Sequence, residues 1–192
     1  MLPILACSVI SVAIIIERSF ALRRSAVVPS GLSADVDRAI SEGRLDVDRI
    51  ASLRRGSALG QVLAAGLATA QSNPARVQEA VEEAGRHVVH GFERHLNALG
   101  TIAATTPLLG LLGTVIGMIK VFAAITTSGV GDPQVLAGGI YEALITTAAG
   151  LSIGIPSLMF HRYFRGRINE LTVEIEQQAL RLLDLLRQRN FQ

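Results

Sequence analysis

The stretch Leu96–Ile119, LNALGTIAATTPLLGLLGTVIGMI, runs for twenty-four residues without a charge before Lys120 ends it. A helix that crosses a bilayer needs about 20 predominantly apolar residues, so this stretch is long enough. Apolar character continues past Lys120 to about Val130. A second run, Val135–Phe160, is interrupted only by Glu142. A third, Met1–Ile16, is uncharged up to Glu17 and Arg18, and reaches spanning length if it continues through Phe20 and Leu22. A signal peptide is the competing reading of that run. It lacks a basic leading region, and no A-x-A site precedes Arg23 and Arg24, so a spanning helix is preferred. The abrupt beginning leaves a native start further upstream as an open alternative. The expected fold is all-α: an integral membrane protein with three transmembrane helices and long cytoplasmic helical extensions.

Composition agrees. Of the 192 residues, 49% are hydrophobic and 18% charged, with mean hydropathy +0.42; charge is nearer about a quarter in soluble domains. Three apolar runs exclude a soluble enzyme. A net charge of +2, no Trp and little aromatic content give no footing for nucleic acid. The single Cys7 cannot form an intrachain disulfide. There is no P-loop, no G-x-G-x-x-G, no H-E-x-x-H and no defensible Ser-His-Asp set. His87 and His90 stand three apart near Glu83, but zinc sites usually need a third or fourth ligand. No metal and no cofactor are expected.

Basic residues set the orientation, because arginine and lysine stay on the cytoplasmic side. Arg18, Arg23, Arg24, Arg38, Arg44, Arg49, Arg54 and Arg55 follow the first run; Arg86 and Arg94 precede the second; Arg162, Arg165 and Arg167 follow the third. Between the second and third runs, Thr126–Gln134 carries only Asp132. The N-terminus is therefore expected in the periplasm and the C-terminus in the cytoplasm. The expected segments are a first span at 1–22, a cytoplasmic helical region at 23–97, a second span at 98–128, a periplasmic loop at 129–134, a third span at 135–160 and a cytoplasmic C-terminal helix at 161–192.

Outside the spans the periodicity is helical. Asn73-Pro74 reads as an N-cap followed by proline at the first helical position. Val77, Val81, Ala84, Val88 and Phe92 then mark one helix face, with no breaker before Leu96, so one helix is predicted from Pro74 through the second span. Ile168, Leu171, Ile175, Leu182 and Leu186 form a like stripe in the tail. Residues 33–71 read as shorter helices linked by Gly43 and Gly56. Such faces are expected to pack into a helical bundle.

Glu142 is the residue that carries chemistry. A carboxylate within a span costs roughly 2.5–3.5 kcal/mol on insertion scales, and such residues usually face a bundle interior or a watery path. Glu142 lies seven residues into its run, about 10 Å from the outer edge at 1.5 Å per residue. Removal from water favours the neutral carboxyl, which suits proton uptake; the alternative is a carboxyl that only holds helices together. Thr146 follows one turn later on the same face, with Thr147 about 100° away. Thr101, Thr105, Thr106 and Thr114 punctuate the second span. Thr114 and Thr147 fall at one depth, roughly 20 Å down by helical rise. Each hydroxyl alone is better read as bonding a carbonyl; the pair at the Glu142 face is read as functional. Gly110, Gly113 and Gly117 on one helix, and Gly138, Gly139, Ala149 and Gly150 on the other, are read as close-packing residues. Pro107 is expected to kink its helix, and Ser152 and Pro156 follow in the third span. Lys120 is read as snorkelling to the interface, with a salt bridge to Glu142 of a neighbouring chain as the alternative. Glu17 and Arg18 are read as boundary anchors.

Two motifs in correct order resemble a known family. Thr105-Thr-Pro-Leu-Leu-Gly-Leu-Leu-Gly-Thr-Val-Ile-Gly-Met is similar to the second-span signature of the MotA/TolQ/ExbB proton channel family, in its ExbB/TolQ branch. Gly139-Ile-Tyr-Glu-Ala-Leu-Ile-Thr-Thr-Ala-Ala-Gly-Leu, leading to Ile155-Pro156, resembles its third span, and Ile16-Glu17-Arg18 the end of its first. MotA-type stators have four spans and a larger cytoplasmic domain, so this chain looks closer to the other branch. The short first span departs from the family pattern. The resemblance implies that Glu142 is the pore glutamate and that Thr114 and Thr147 face the pore; spacing alone favours Thr146, which stands second. It implies a homopentamer in the bacterial inner membrane, surrounding a dimer of a single-span ExbD- or TolR-like subunit whose span carries an aspartate. It also implies proton flow that drives rotation and energises a TonB- or TolA-like partner, for outer-membrane transport or envelope maintenance. A carboxylate site also takes Na⁺, so the proton is itself an expectation. The alternative reading is a structural scaffold that anchors envelope proteins without conducting ions. A secondary transporter would show inverted repeats and broken helices, and neither is visible.

Overall fold

The computed structural model describes residues 2–42, 46–128 and 133–190. Among these residues there are seven helices and no strand: α1 (Leu2–Ala21), α2 (Arg24–Val27), α3 (Leu32–Ser41), α4 (Val47–Gly56), α5 (Ala58–Ala68), α6 (Pro74–Ser128) and α7 (Pro133–Asn190). Three of them, α1, α6 and α7, are long and apolar enough to cross a membrane. The 55 residues of α6 and 58 of α7 far exceed the roughly 20 that a bilayer requires. The fold is all-α, with helical extensions beyond the spans.

Local chemistry accounts for the helix ends. The Asn73 side chain accepts hydrogen bonds from the backbone N–H of Ala75 at 2.7 Å and of Arg76 at 3.2 Å. It thereby satisfies donors that a helix start leaves unpaired, and Pro74 occupies the next position. Ser57 caps α5 by accepting from the Gly60 N–H at 3.0 Å. It separates α5 from α4, which ends at Gly56. Gly31 precedes α3 with φ +92°, a conformation that glycine adopts without steric penalty. Of the loop expected at 129–134, residues 129–132 lie outside the described residues, as does Gly43. Positions 133–134 belong to the first turn of α7, since proline is well suited to the first helical position.

The chain divides into two compact units, one of Met1–Glu17 with His95–Tyr163 and the other of Arg18–Arg94 with Phe164–Gln192. In the second unit, Leu59, Val62, Leu63 and Leu67 of α5 are buried, as are Val77, Val81 and Val88 of α6. So are Phe164, Ile168, Leu171, Ile175, Leu182 and Leu186 of α7. The apolar stripes of α6 and α7 are thus the faces that lose water. Gly66 lets α5 approach both helices: a Cβ there would stand 2.9 Å from Val81 Cγ2 and 3.0 Å from Leu182 Cδ2. Polar ties surround this core. Arg24 on α2 pairs with Glu174 on α7, and Arg181 lies 2.8 Å from Asp37 of α3. Arg18 is buried and donates to the Phe92 carbonyl at 2.8 Å, so it joins helices as well as marking a boundary.

In the first unit, α6 and α7 run antiparallel along a seam of small residues. A Cβ on Gly150 would stand 2.8 Å from the Thr106 carbonyl oxygen and 3.0 Å from Gly110 Cα. One on Gly110 would stand 3.1 Å from Thr147 Cα, and one on Gly117 would stand 2.8 Å from Ala143 Cβ. The helix axes meet at backbone distance, the contact that small residues permit in membranes. Both interior prolines leave their helices unbroken. Pro107 has no N–H for the Ala103 carbonyl, and its ring fills the space opposite Gly154, where a Cβ would stand 2.5 Å from Pro107 Cγ. Helix α1 joins through Ser11, whose hydroxyl lies 2.9 Å from that of Ser157 on α7. The opposite faces stay bare: Leu108, Leu112, Ile119, Phe122, Leu144, Leu151 and Ile155 are all exposed.

Candidate ion-handling site

The seam positions the polar side chains beside it. Gly117 and Val121 of α6 face Ala143 and Gly139 of α7. Lys120 and Glu142, one from each helix, therefore stand beside this contact. Lys120 Nζ lies 3.9 Å from Glu142 Oε2, with the side chains 64% and 66% exposed. Lys120 thus meets the carboxylate of its own chain. This is ion-pair range, longer than a hydrogen bond. Within the spans, Lys120 and Glu142 are the charged groups of α6 from 98 to 128 and of α7 from 133 to 160.

The hydroxyls behave differently from the carboxylate. Thr146 is 8% exposed and turned into the seam, where a Cβ on Gly113 would stand 2.4 Å from its Oγ1. Its hydroxyl donates to the Ala143 carbonyl at 2.7 Å. Spacing puts Thr146 on the Glu142 face, yet the gap at Gly113 draws it against α6 while Glu142 stays open. Thr147 donates across the seam to the Gly110 carbonyl at 3.0 Å. That bond places it at the level of α6 residues 110 to 114. Thr114 is half-buried and donates to the Leu111 carbonyl at 2.6 Å. Thr105 and Thr106 bond back to Thr101 and Ile102 in the same manner. Glu142 and Lys120 are thus brought together, and Thr146 and Thr147 lie one helical turn further along α7, committed to carbonyl oxygens. Pro156 is exposed on α7.

Sequence reasoning passed over the Ser11–Ser157 contact, in which both side chains are buried. The first apolar run offers Ser8 and Ser11, and the third offers Ser152 and Ser157 beside its threonines, with no spacing signal to say which two would meet. It also passed over His161, whose ring sits over Gly100; a Cβ there would stand 2.8 Å from its Nε2. Among the described residues no group of three or more His, Cys, Asp or Glu gathers to hold a metal, and His87 and His90 are exposed on α6. The arrangement offers a carboxylate that can bind a proton, a cation beside it and hydroxyl donors along the same seam.

Residues 54–177 match the sequence profile of the MotA/TolQ/ExbB proton channel family. The chain is 34% identical over 165 residues to the biopolymer transport protein ExbB-like 1 of Synechocystis, covering 84% of this chain and 65% of that protein. It is 33% identical over 162 residues to the biopolymer transport protein exbB1 of Vibrio cholerae, covering 81% of this chain and 70% of that one. To the Tol-Pal system protein TolQ of Haemophilus influenzae it is 36% identical over 83 residues, 43% of this chain and 36% of that protein. The chain therefore spans just under two thirds of the first of these relatives. The matched profile contains α5, the whole of the small-residue seam and both charged groups of the spans. Profile and relatives together show that the chain belongs to the MotA/TolQ/ExbB proton channel family, in its ExbB/TolQ branch.

Proposed function

We propose that this chain is the proton-channel subunit of an inner-membrane motor. It converts proton-motive force into mechanical work on a TonB- or TolA-type partner, for outer-membrane transport or envelope maintenance. The observation that carries the reading is the place of Glu142. It is a carboxylate within a transmembrane helix, open on the outward face of its own bundle and held beside a seam of closely packed small residues. A charged group so exposed needs a second chain or water against it, because hydrocarbon alone disfavours it. In this reading five copies assemble with Glu142 toward a central pore, which holds a dimer of an ExbD- or TolR-like single-span subunit. Glu142 takes a proton from the periplasmic side and passes it to an aspartate of that subunit. Thr114 and Thr147 line the path, and Thr146, the second choice from the sequence, is buried against α6 behind it. Neutralising Glu142 changes how the ring grips the inner dimer. The N-terminus is periplasmic, and the helical extensions and C-terminus are cytoplasmic.

The test is Glu142→Gln in cells, read as energised uptake or envelope integrity, with assembly checked by native mass spectrometry. The expected outcome is loss of at least about 90% of activity, the tenfold equivalent of about 1.4 kcal/mol, in an intact oligomer. Full activity would sink the mechanism and leave the scaffold reading. A collapsed oligomer would make Glu142 a packing residue.

A further inference from the structure

Lys120 and Glu142 reach each other from two helices whose meeting is set by glycine. Counted from the ends of α6 and α7, Lys120 lies eight residues in and Glu142 nine, about 12 and 14 Å at 1.5 Å per residue. The contacts on either side, Gly117 against Ala143 and Gly139 against Val121, leave no room for the helices to come closer. The spacing of the two charges is therefore built into the backbone. Each charge alone in a span costs roughly 2.5–3.5 kcal/mol on insertion scales, and pairing offsets part of both costs. The other groups near this level are few. Helix α1 has no charge before Glu17, and the Ser11–Ser157 contact leaves its first residues short of the level of Glu142; Tyr141 presents an exposed phenol, and Asp132 lies outside the described residues.

We propose that Lys120 is the resident counter-cation of Glu142 in the same chain: its ammonium holds the position beside the carboxylate that a transported metal cation would need, which makes the site exchange protons in preference to Na⁺. This rests on the reading of Glu142 as the ion-handling group. A proton neutralises the carboxylate on an oxygen and releases the ammonium without requiring its space. A sodium ion has to displace an ammonium tethered to a rigid helix, whose effective concentration at the site is set by the tether. Lys120 acts here as a positioning and specificity-determining residue.

The pair can be trapped chemically in membranes that hold the full chain with its natural partner subunits. Dicyclohexylcarbodiimide takes the proton of the Lys120 ammonium and adds the Glu142 carboxylate, giving an O-acylisourea. The freed Nζ then attacks the acyl carbon, forms an amide and expels dicyclohexylurea, so the chain loses one water in total. Mass spectrometry on mixed isotope-labelled and unlabelled chains should find Lys120 joined to Glu142 within single chains. The yield should be equal in sodium and choline chloride. In Lys120→Met, Glu142 should instead collect the stable N-acylurea about tenfold faster at neutral pH than in Lys120→Arg, a ratio equivalent to about 1.4 kcal/mol. The arginine variant keeps the charge pair but has no attacking amine, so a merely structural lysine would not separate the two variants. Cross-links only between differently labelled chains would overturn the proposal, as would protection of the wild type by sodium, or equal rates in the two variants. None of these readouts depends on energised uptake, so a failure here is told apart from a failure of the Glu142→Gln assay.

Discussion

Gly150 and Gly85 are both helical glycines, and their surroundings give them opposite roles. A Cβ on Gly150 would stand 2.8 Å from a carbonyl oxygen and about as near to the backbone of Gly110. Backbone cannot rotate away as a flexible side chain can, so the helices themselves would have to separate. Overpacking of this kind typically costs about 1–3 kcal/mol. Gly85, also within a helix, has nothing within 4 Å of a Cβ, and alanine there removes the conformational freedom of the unfolded glycine. Gly150→Ala should lower the Tm in detergent, whereas Gly85→Ala should raise stability by about 0.5–1 kcal/mol. A Gly150→Ala chain as stable as wild type would show that the seam relaxes and that the approach of α6 to α7 is not fixed by glycine. The same contrast explains the threonines. From spacing alone Thr146 and Glu142 are neighbours, but only the structure reveals that Gly113 opens a recess which one enters and the other does not.

Among the short elements, α2 buries Val27 and is tied to α7 by an ion pair. The Arg24 guanidinium, hydrogen-bonded to Glu174 Oε2 at 3.1 Å, holds the Glu174 carboxyl below the usual carboxylate range, chiefly through that bond and secondarily through charge. The same contacts raise Arg24, which titrates above any working pH in either state. A carboxyl depressed in the folded state gives stability that is complete above the ordinary glutamate value near about 4.3 and is lost as pH falls through the lower folded value. Glu174→Gln should therefore be slightly less stable than wild type at neutral pH and converge with it in acid below that window. The effect is small because Arg24 is open to solvent and the charge is screened. Thermal melts across pH 2–7 (a range chosen to bracket about 4.3) would check it; a constant difference across that range would mean that Glu174 acts through packing. Elements of this size also show where the sequence is legible. Asn73-Pro74 identifies the start of α6 because capping is chemistry between adjacent residues, and the stripes on α6 and α7 identify buried faces because their period is that of the helix. The Arg24–Glu174 pair, the recess at Gly66 and the Ser11–Ser157 contact join residues far apart in sequence. No local periodicity encodes them, since each depends on which helix happens to lie opposite.

At the scale of the whole molecule, the distribution of charge argues the orientation. Seventeen of the eighteen basic residues are arginines, and Lys120 is the single basic residue between Arg94 and Arg162. The second and third spans lie in that interval and are joined by a segment whose sole charge is Asp132. Moving these seventeen arginines across a membrane that retains basic residues on its cytoplasmic side would oppose the rule that sets orientation. The proposed orientation therefore puts the joining segment outside and Ser30, between α2 and α3, inside. In a Cys7→Ser background, Thr126→Cys near the end of α6 should react in intact cells with a maleimide that cannot cross the inner membrane, once the outer membrane is permeable. Ser30→Cys should react only after the inner membrane is opened, and the protected fraction should exceed about 90% for a population biased by the roughly 1.4 kcal/mol that a tenfold preference requires. Both side chains are exposed, so labelling reports the compartment and not burial. The reverse pattern would place the helical extensions in the periplasm. Glu142 would then lie near the cytoplasmic face, and the proton path drawn from the periplasm to it would be untenable.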